Sequence, residues 1–287
     1  MSTMRSTSGS TELAQFCDLM LKNQQEYNLT KLMNINTMRN GTLGRRFVLF
    51  VTIQYMKLHS RLIIHLGVNY IIFPRPLISQ QTLILFQNEI LKSGLEFSNV
   101  LLKEGKIIVT RESPTNLQIN VSTFDPQVGQ LLILAPNPQR SLELFIQEAE
   151  ASVNAFSNTW PAANRQIINC DAAIRELHET TSEHAFQELW EKRLGQSPET
   201  LTAFDRPIRG GGLRFIMEPS QDEVDPARIE VKIESSLNDT KKIFVETQFF
   251  WLQPTSPGSP FPVRNRLDQI NSYIESKVHA FIIGDSK

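Results

Sequence analysis

Two stretches of this chain, from about Val68 to Trp160 and from about Arg165 to Phe281, predict the same order of elements. Each reads strand, helix, three or four antiparallel strands, then one long amphipathic helix. Such an echo constrains the fold more than any single motif, because each unit must bury one sheet face beneath its own long helix. The 287 residues suffice for one large domain or two smaller ones. The expected segments are an N-terminal extension over residues 1–60, one α+β module over 61–161 and a second over 162–287.

In the first module, Val68 to Phe73 is rich in β-formers and ends at Pro74-Arg75-Pro76. Ser79 is placed to cap a helix whose apolar face is Leu83, Phe86, Ile90 and Leu91, up to Gly94. Strands are predicted over Leu95 to Leu102, over Lys106 to Arg111, through the alternating Leu117, Ile119 and Val121, and over Gly129 to Ala135. Leu142, Phe145, Ile146, Ala149, Val153, Phe156 and Trp160 then form one continuous helical stripe, with Glu143, Glu148 and Glu150 away from it.

The second module opens with a strand at Arg165 to Cys170, followed by a helix capped by Ser182 and carrying Ala185, Phe186, Leu189, Trp190 and Leu194. Three strands alternate cleanly: Leu213, Phe215 and Met217; Ile229, Val231 and Ile233; Ile243, Val245, Phe249 and Trp251. Arg214, Glu218, Glu230, Lys232, Glu234 and Glu246 point the other way, which suits a solvated sheet face with cross-strand charge pairs. Val263, Leu267, Ile270, Ile274, Val278 and Phe281 make the closing helix.

Charge is unevenly spread. Residues 1–60 hold seven Lys and Arg against three Asp and Glu, and residues 61–287 hold 22 against 27. The acidic tilt of the body gives it no general attraction to phosphate backbones, so nucleic acid is not an expected partner. Cys17 and Cys170 are too few for a disulfide framework and read as free thiols in a reducing compartment. The polar opening lacks a secretory signal, and the longest apolar run, Phe47 to Met56, is too short to span a membrane. The expectation is a cytoplasmic protein without a transmembrane segment. Arg45-Arg46 before Phe47 to Val51 admits a membrane-surface reading, although a buried segment docking on the body, or a poorly ordered extension, accounts for it more simply. Met56 is a candidate downstream start.

No motif carries chemistry. His178-Glu179 and Glu183-His184 are metal-like, but the histidines stand six apart where one helical face needs four, so they read as solvated residues around a helix start. Asp222-Glu223-Val224-Asp225-Pro226 lacks the alternation and glycine of a calcium loop and reads as a turn. No serine or cysteine lies in a nucleophile signature. The one glycine cluster, Gly210-Gly211-Gly212, leads into a strand and not a helix; with Arg206 and Arg209 beside it, it is the candidate ligand site for an anion. No catalytic residue, metal ligand or cofactor is assigned.

The fold class expected is α+β, with two similar strand-helix-(3–4 antiparallel strands)-helix modules whose long helices pack on one face of curved antiparallel sheets. The element order resembles that of TATA-binding-protein-like folds in topology alone. A DNA saddle wants a basic, Phe-studded face, and the predicted exposed faces carry Glu218, Glu230, Glu234 and Glu246. The functional expectation is a non-enzymatic protein-binding or adaptor module, with a protein partner or a second copy. The alternative is a small apolar or anionic ligand, and an enzyme acting on it, in a pocket between sheet and long helix near Phe249, Phe250 and Trp251.

Overall fold

The longest strand among the described residues, β1 (Leu58–Phe73), pairs along most of its length with β6 (Gln166–Thr180), and this antiparallel pair is the spine of the fold. The computed structural model describes residues 56–284 apart from 124, 139, 198, 200, 201, 203, 207, 209 and 221. The fold belongs to the unit Tyr55–Lys287. Expectations for residues 1–55, including the membrane-surface reading and the poorly ordered extension, fall outside the described residues, as does Arg209.

On one side of the spine lie β5 (Gly129–Pro136), β4 (Leu117–Thr123), β3 (Lys106–Arg111) and β2 (Asn99–Lys103). On the other lie β9 (Lys242–Trp251), β8 (Arg228–Ser235) and β7 (Gly212–Met217). All nine form one antiparallel sheet in the order β2-β3-β4-β5-β1-β6-β9-β8-β7. The architecture is α+β, and the strands predicted for two modules are continuous with one another. The spine is also longer than the sequence patterns suggested, because β1 begins at Leu58, within the stretch assigned to the extension, and β6 runs on to Thr180.

Strand alternation gives the sheet a buried inner face of Leu66, Val68, Tyr70, Ile119, Val121, Leu131, Ile133, Ile174, Val245, Phe249 and Trp251. Helices α1 (Gln80–Lys92), α2 (Leu142–Thr159), α3 (Ala185–Glu188) and α4 (Val263–Tyr273) place their apolar stripes in this same core. Burying each large side chain contributes about 1.5–3 kcal/mol, and Phe145, Phe156 and Phe86 are fully inside. α1 starts at a capping box in which Ser79 Oγ accepts from Thr82 N and Thr82 Oγ1 accepts from Ser79 N. Ser141 caps α2 with a single bond, its Oγ accepting from Leu144 N at 3.2 Å, and Glu143 lies in the positive first turn.

Three local expectations are corrected. The helix after β6 is capped by His184, whose Nδ1 accepts from Gln187 N at 3.1 Å, and not by Ser182. It is one α turn followed by a π-helical turn, Leu189–Arg193. Glu148 is buried beside its stripe because Arg111 and Arg140 converge on it from the end of β3 and the approach to α2. The closing helix is likewise interrupted, α4 passing through a π turn at Ile274–Val278 into α5 (His279–Ile283). Among the described residues, no helix is long and apolar enough to cross a membrane.

Candidate functional site

The face of the sheet turned away from the helices carries an ordered side-chain lattice, and strand register assembles it. One row runs Arg214, Lys232, Glu246, Arg175 and His65 across β7, β8, β9, β6 and β1. The next runs Ile216, Glu230, Gln248, Ala173, Gly67, Leu134, Gln118, Thr110 and Asn99. A third runs Arg228, Phe250, Asp171, Asn69, Leu132, Asn120, Ile108 and Leu101. Directly opposed residues on one face interact most strongly, so the register decides which side chains meet.

Two networks result. In the β7-to-β6 half, Arg214 bonds Glu230, Lys232 lies between Glu230 and Glu246, and Arg175 closes on Glu246. Burial opposes ionisation of Glu246, but Lys232 and Arg175 hold its carboxyl below the usual range. The long cations cover the acids so well that Glu230 and Glu246 are only 7% and 4% exposed, although the sequence reads them as solvated. From β4 to β9 the network is nearly uncharged. Ser122 Oγ lies 3.1 Å from Gln130 Oε1, Gln130 Nε2 donates to Asn69 Oδ1 at 2.7 Å, and Asn69 Nδ2 donates to Asp171 Oδ2 at 2.8 Å. Gln248 Nε2 supplies Asp171 Oδ1 at 3.2 Å. Burial pushes the Asp171 carboxyl up, against these two bonds. Leu132, Leu134, Ile71 and Ile108 stand half-buried among these amides, and Leu101 and Leu62 are exposed. Gly67 leaves room here for the Leu134 side chain that leans across it; a Cβ would lie 2.9 Å from the Leu134 methyl and displace it.

A different cluster lies on the inner face, at the far end of the spine. Glu176 and His178 alternate onto it from β6, and His279 reaches it from α5. Both imidazole Nε2 atoms lie 2.7 Å from Glu176 Oε1, and Arg61 Nε donates to Oε2 at 2.6 Å. A register shift between Ile63 and His65 turns Arg61 to this face; without it the alternation would send Arg61 outward. Arg61 also binds Asn271 and Glu275. Burial opposes the charge on Glu176, yet His178, His279 and Arg61 together hold it well below the usual carboxylate range. His178 is thus a core residue, where the sequence suggested a solvated one.

The remaining sequence candidates are scattered. Gly211 packs under the Phe186 ring, which a Cβ would strike at 2.7 Å, and its N–H donates to Ser235 Oγ. Gly212 enters β7 opposite Glu234, Gly210 lies against Ser235 and Leu237, and Arg206 is exposed. Asp225 pairs with Arg266 at 3.5 Å. The Cys170 thiol is pushed up to about 12 by burial, which leaves it inert as a nucleophile. A cleft of about 590 Å³ opens between α2 and the segment before α4, lined by Glu150, Asn154, Ser157, Arg165, Gly258 and Phe261 among others. Phe249, Phe250, Trp251, Arg206, Gly210, Gly211 and Gly212 are not among the described residues that line it.

No protein-family model matches this sequence, and no curated protein is significantly similar to it.

Proposed function

We propose that this chain is a non-enzymatic protein-binding module that receives its partner on the outer face of the sheet, over β4, β5 and β1. The observation that carries this reading is the company kept by Leu132, Leu134, Ile71 and Ile108. These aliphatic side chains lie among amides already fixed by mutual hydrogen bonds, so docking costs little ordering entropy. In the neighbouring ionic row, Arg214, Lys232 and Arg175 are each engaged by Glu230 or Glu246 and so are already occupied. The partner's chemistry is therefore a neutral, aliphatic- and amide-rich protein surface.

The double variant Leu132→Glu, Leu134→Glu is expected to weaken capture of a partner purified with the full chain at least about tenfold, or ~1.4 kcal/mol. Leu144→Glu, on the helical side, leaves it unchanged. Retention by the outer-face variant, or binding that falls steeply with salt, contradicts the reading.

A second reading rests on the cleft beside Arg165, whose volume exceeds the roughly 300 Å³ of small-molecule sites. It predicts a polar ligand that raises Tm and is lost in Asn154→Leu. In keeping with either reading, the protein is placed in the cytoplasm, and its halves are inferred to descend from one duplicated unit. Supporting the duplication, each half runs outward from the spine through its last, middle and earlier strands, with a helix after its first strand and another after its last. A superposition of 58–159 on 166–283 that fails to match strand to strand contradicts it.

A further inference from the structure

The inner cluster of Glu176, His178 and His279 has more ligand character than a structural ion pair requires. Arg61 supplies Glu176 with a positive partner at Oε2, so an ion pair is complete without any imidazole at Oε1. Yet two imidazoles converge on that second oxygen, one from the same strand and one from a residue 103 positions further along the chain than Glu176. Their rings stand edge to face at 4.7 Å and 79°, so that both Nε2 atoms address one point. One ligand atom from each of the three side chains lies within 4.8 Å of the other two.

We propose that Glu176, His178 and His279 form a binding site for a divalent transition-metal ion, with zinc the best-suited occupant. Two neutral imidazole nitrogens and one carboxylate oxygen are the donor set that zinc takes, in tetrahedral geometry, with a solvent molecule as fourth ligand. Bonds of about 2.0–2.1 Å put neighbouring tetrahedral ligands roughly 3.3 Å apart. The present 2.7 Å separations between each Nε2 and Oε1 must therefore open by about 0.6 Å. In that exchange each imidazole gives up its contact with Oε1 and turns the Nε2 lone pair to the ion, the ring proton residing on Nδ1.

Surrounding groups fit this role. Arg61 holds Oε2 and leaves Oε1 free to ligate, which is the work of an outer-shell partner. Glu275, held by Arg61 and Asn271, supplies a further negative charge near the site. The π turn at Ile274–Val278 immediately precedes His279; the extra residue rotates the following helix, and such turns concentrate at functional sites. His178 is 2% exposed and the His279 side chain 19%, so the solvent side is the side of α5. This assignment is independent of the docking face, from which the sheet separates it.

The test uses untagged full-length protein, stripped with chelator and titrated with zinc by calorimetry. Cobalt substitution then reports ligand geometry by absorption. One ion per chain is expected, with a tetrahedral cobalt spectrum and a rise in Tm on zinc addition. His279→Ala should weaken binding at least about tenfold, whereas His184→Ala should not change it. Glu176 is buried enough that its replacement could unfold the chain, so the wild-type cobalt spectrum provides the second criterion. Absence of stoichiometric metal, an octahedral spectrum, or zinc affinity unchanged in a folded His279→Ala protein overturns the proposal.

Discussion

The two halves of this sheet solve the same packing problem with charge on opposite sides. In β2–β5 the ionic group lies inside: Arg111 from β3 and Arg140 before α2 enclose Glu148, all three side chains less than a tenth exposed. Above it, the outer face is amide and aliphatic. In β7–β9 the inner face is mostly apolar, and the ionic row Arg214, Glu230, Lys232, Glu246 lies outside. A half that keeps its charges underneath is free to offer an uncharged surface above. This difference, more than any motif, is what supports the proposal that a partner docks on that stretch of the outer face.

Removing the centre of each ionic group tests the contrast most severely. Glu148→Ala leaves two cations facing each other in the core and is expected to cost about 3–5 kcal/mol. Burial already lowers Arg140 to about 10, a sign of how little solvent reaches it. Glu246→Ala should cost less, because Arg175 and Lys232, the cations it leaves behind, are 42% and 30% exposed and can turn to solvent, whereas Arg111 and Arg140 cannot. Urea unfolding of both variants measures the gap, and equal costs would erase the distinction drawn here. Within one strand, Ile133→Ala should lose about 2–5 kcal/mol, and Leu132→Ala, one residue away on the outer face, less than half as much.

The spine offers a sharper comparison, since β6 presents Glu176 inward and Asp171 outward with opposite shifts. Glu176 titrates below its usual value, so its contribution to stability is in place above the unfolded pKa and is lost as pH falls below about 4.5. Asp171 titrates above its usual value, so ionising it costs stability as pH rises through the folded pKa. Glu176→Gln should therefore lower Tm at pH 7 and lose that penalty in acid. Asp171→Asn should raise Tm at pH 7, and the gain should shrink in acid. Thermal scans from pH 3 to pH 8 read both slopes, and parallel slopes would contradict the assignment. The smallest effect is expected at Arg214, an exposed end of the ionic row, where Arg214→Ala should leave Tm unchanged within error.

What the sequence made legible were the elements whose pattern obeys a single period. The α2 stripe, β3, β5 and the alternation in β8 and β9 lie where expected, as does the Ser79 cap. The spine was only half visible because polar groups occupy core positions of its strands: Arg61, Glu176 and His178 break the apolar period, and the shift beside Ile63 inverts the alternation. The inner cluster was hidden for the same reason. His178 was legible as a metal-like residue, but its partner is Glu176 two residues back on a strand and His279 on the last helix, not the neighbouring Glu183 and His184. The one available signal was spacing, since i and i+2 share a face in a strand and not in a helix. The outer lattice depends on register across eight strand pairs, which no local pattern encodes.

The most direct test of the docking surface is the relaxation of methyl groups by a soluble paramagnetic agent, recorded on the full chain alone and with its purified partner. In the free protein Leu132, Leu134, Ile71 and Ile108 are expected to broaden while Leu131 and Ile133 do not, and binding should restore the first four. If those four stay broadened in the complex while Leu144 and Leu85 on the helical side recover, the partner sits on the other face and the account is wrong.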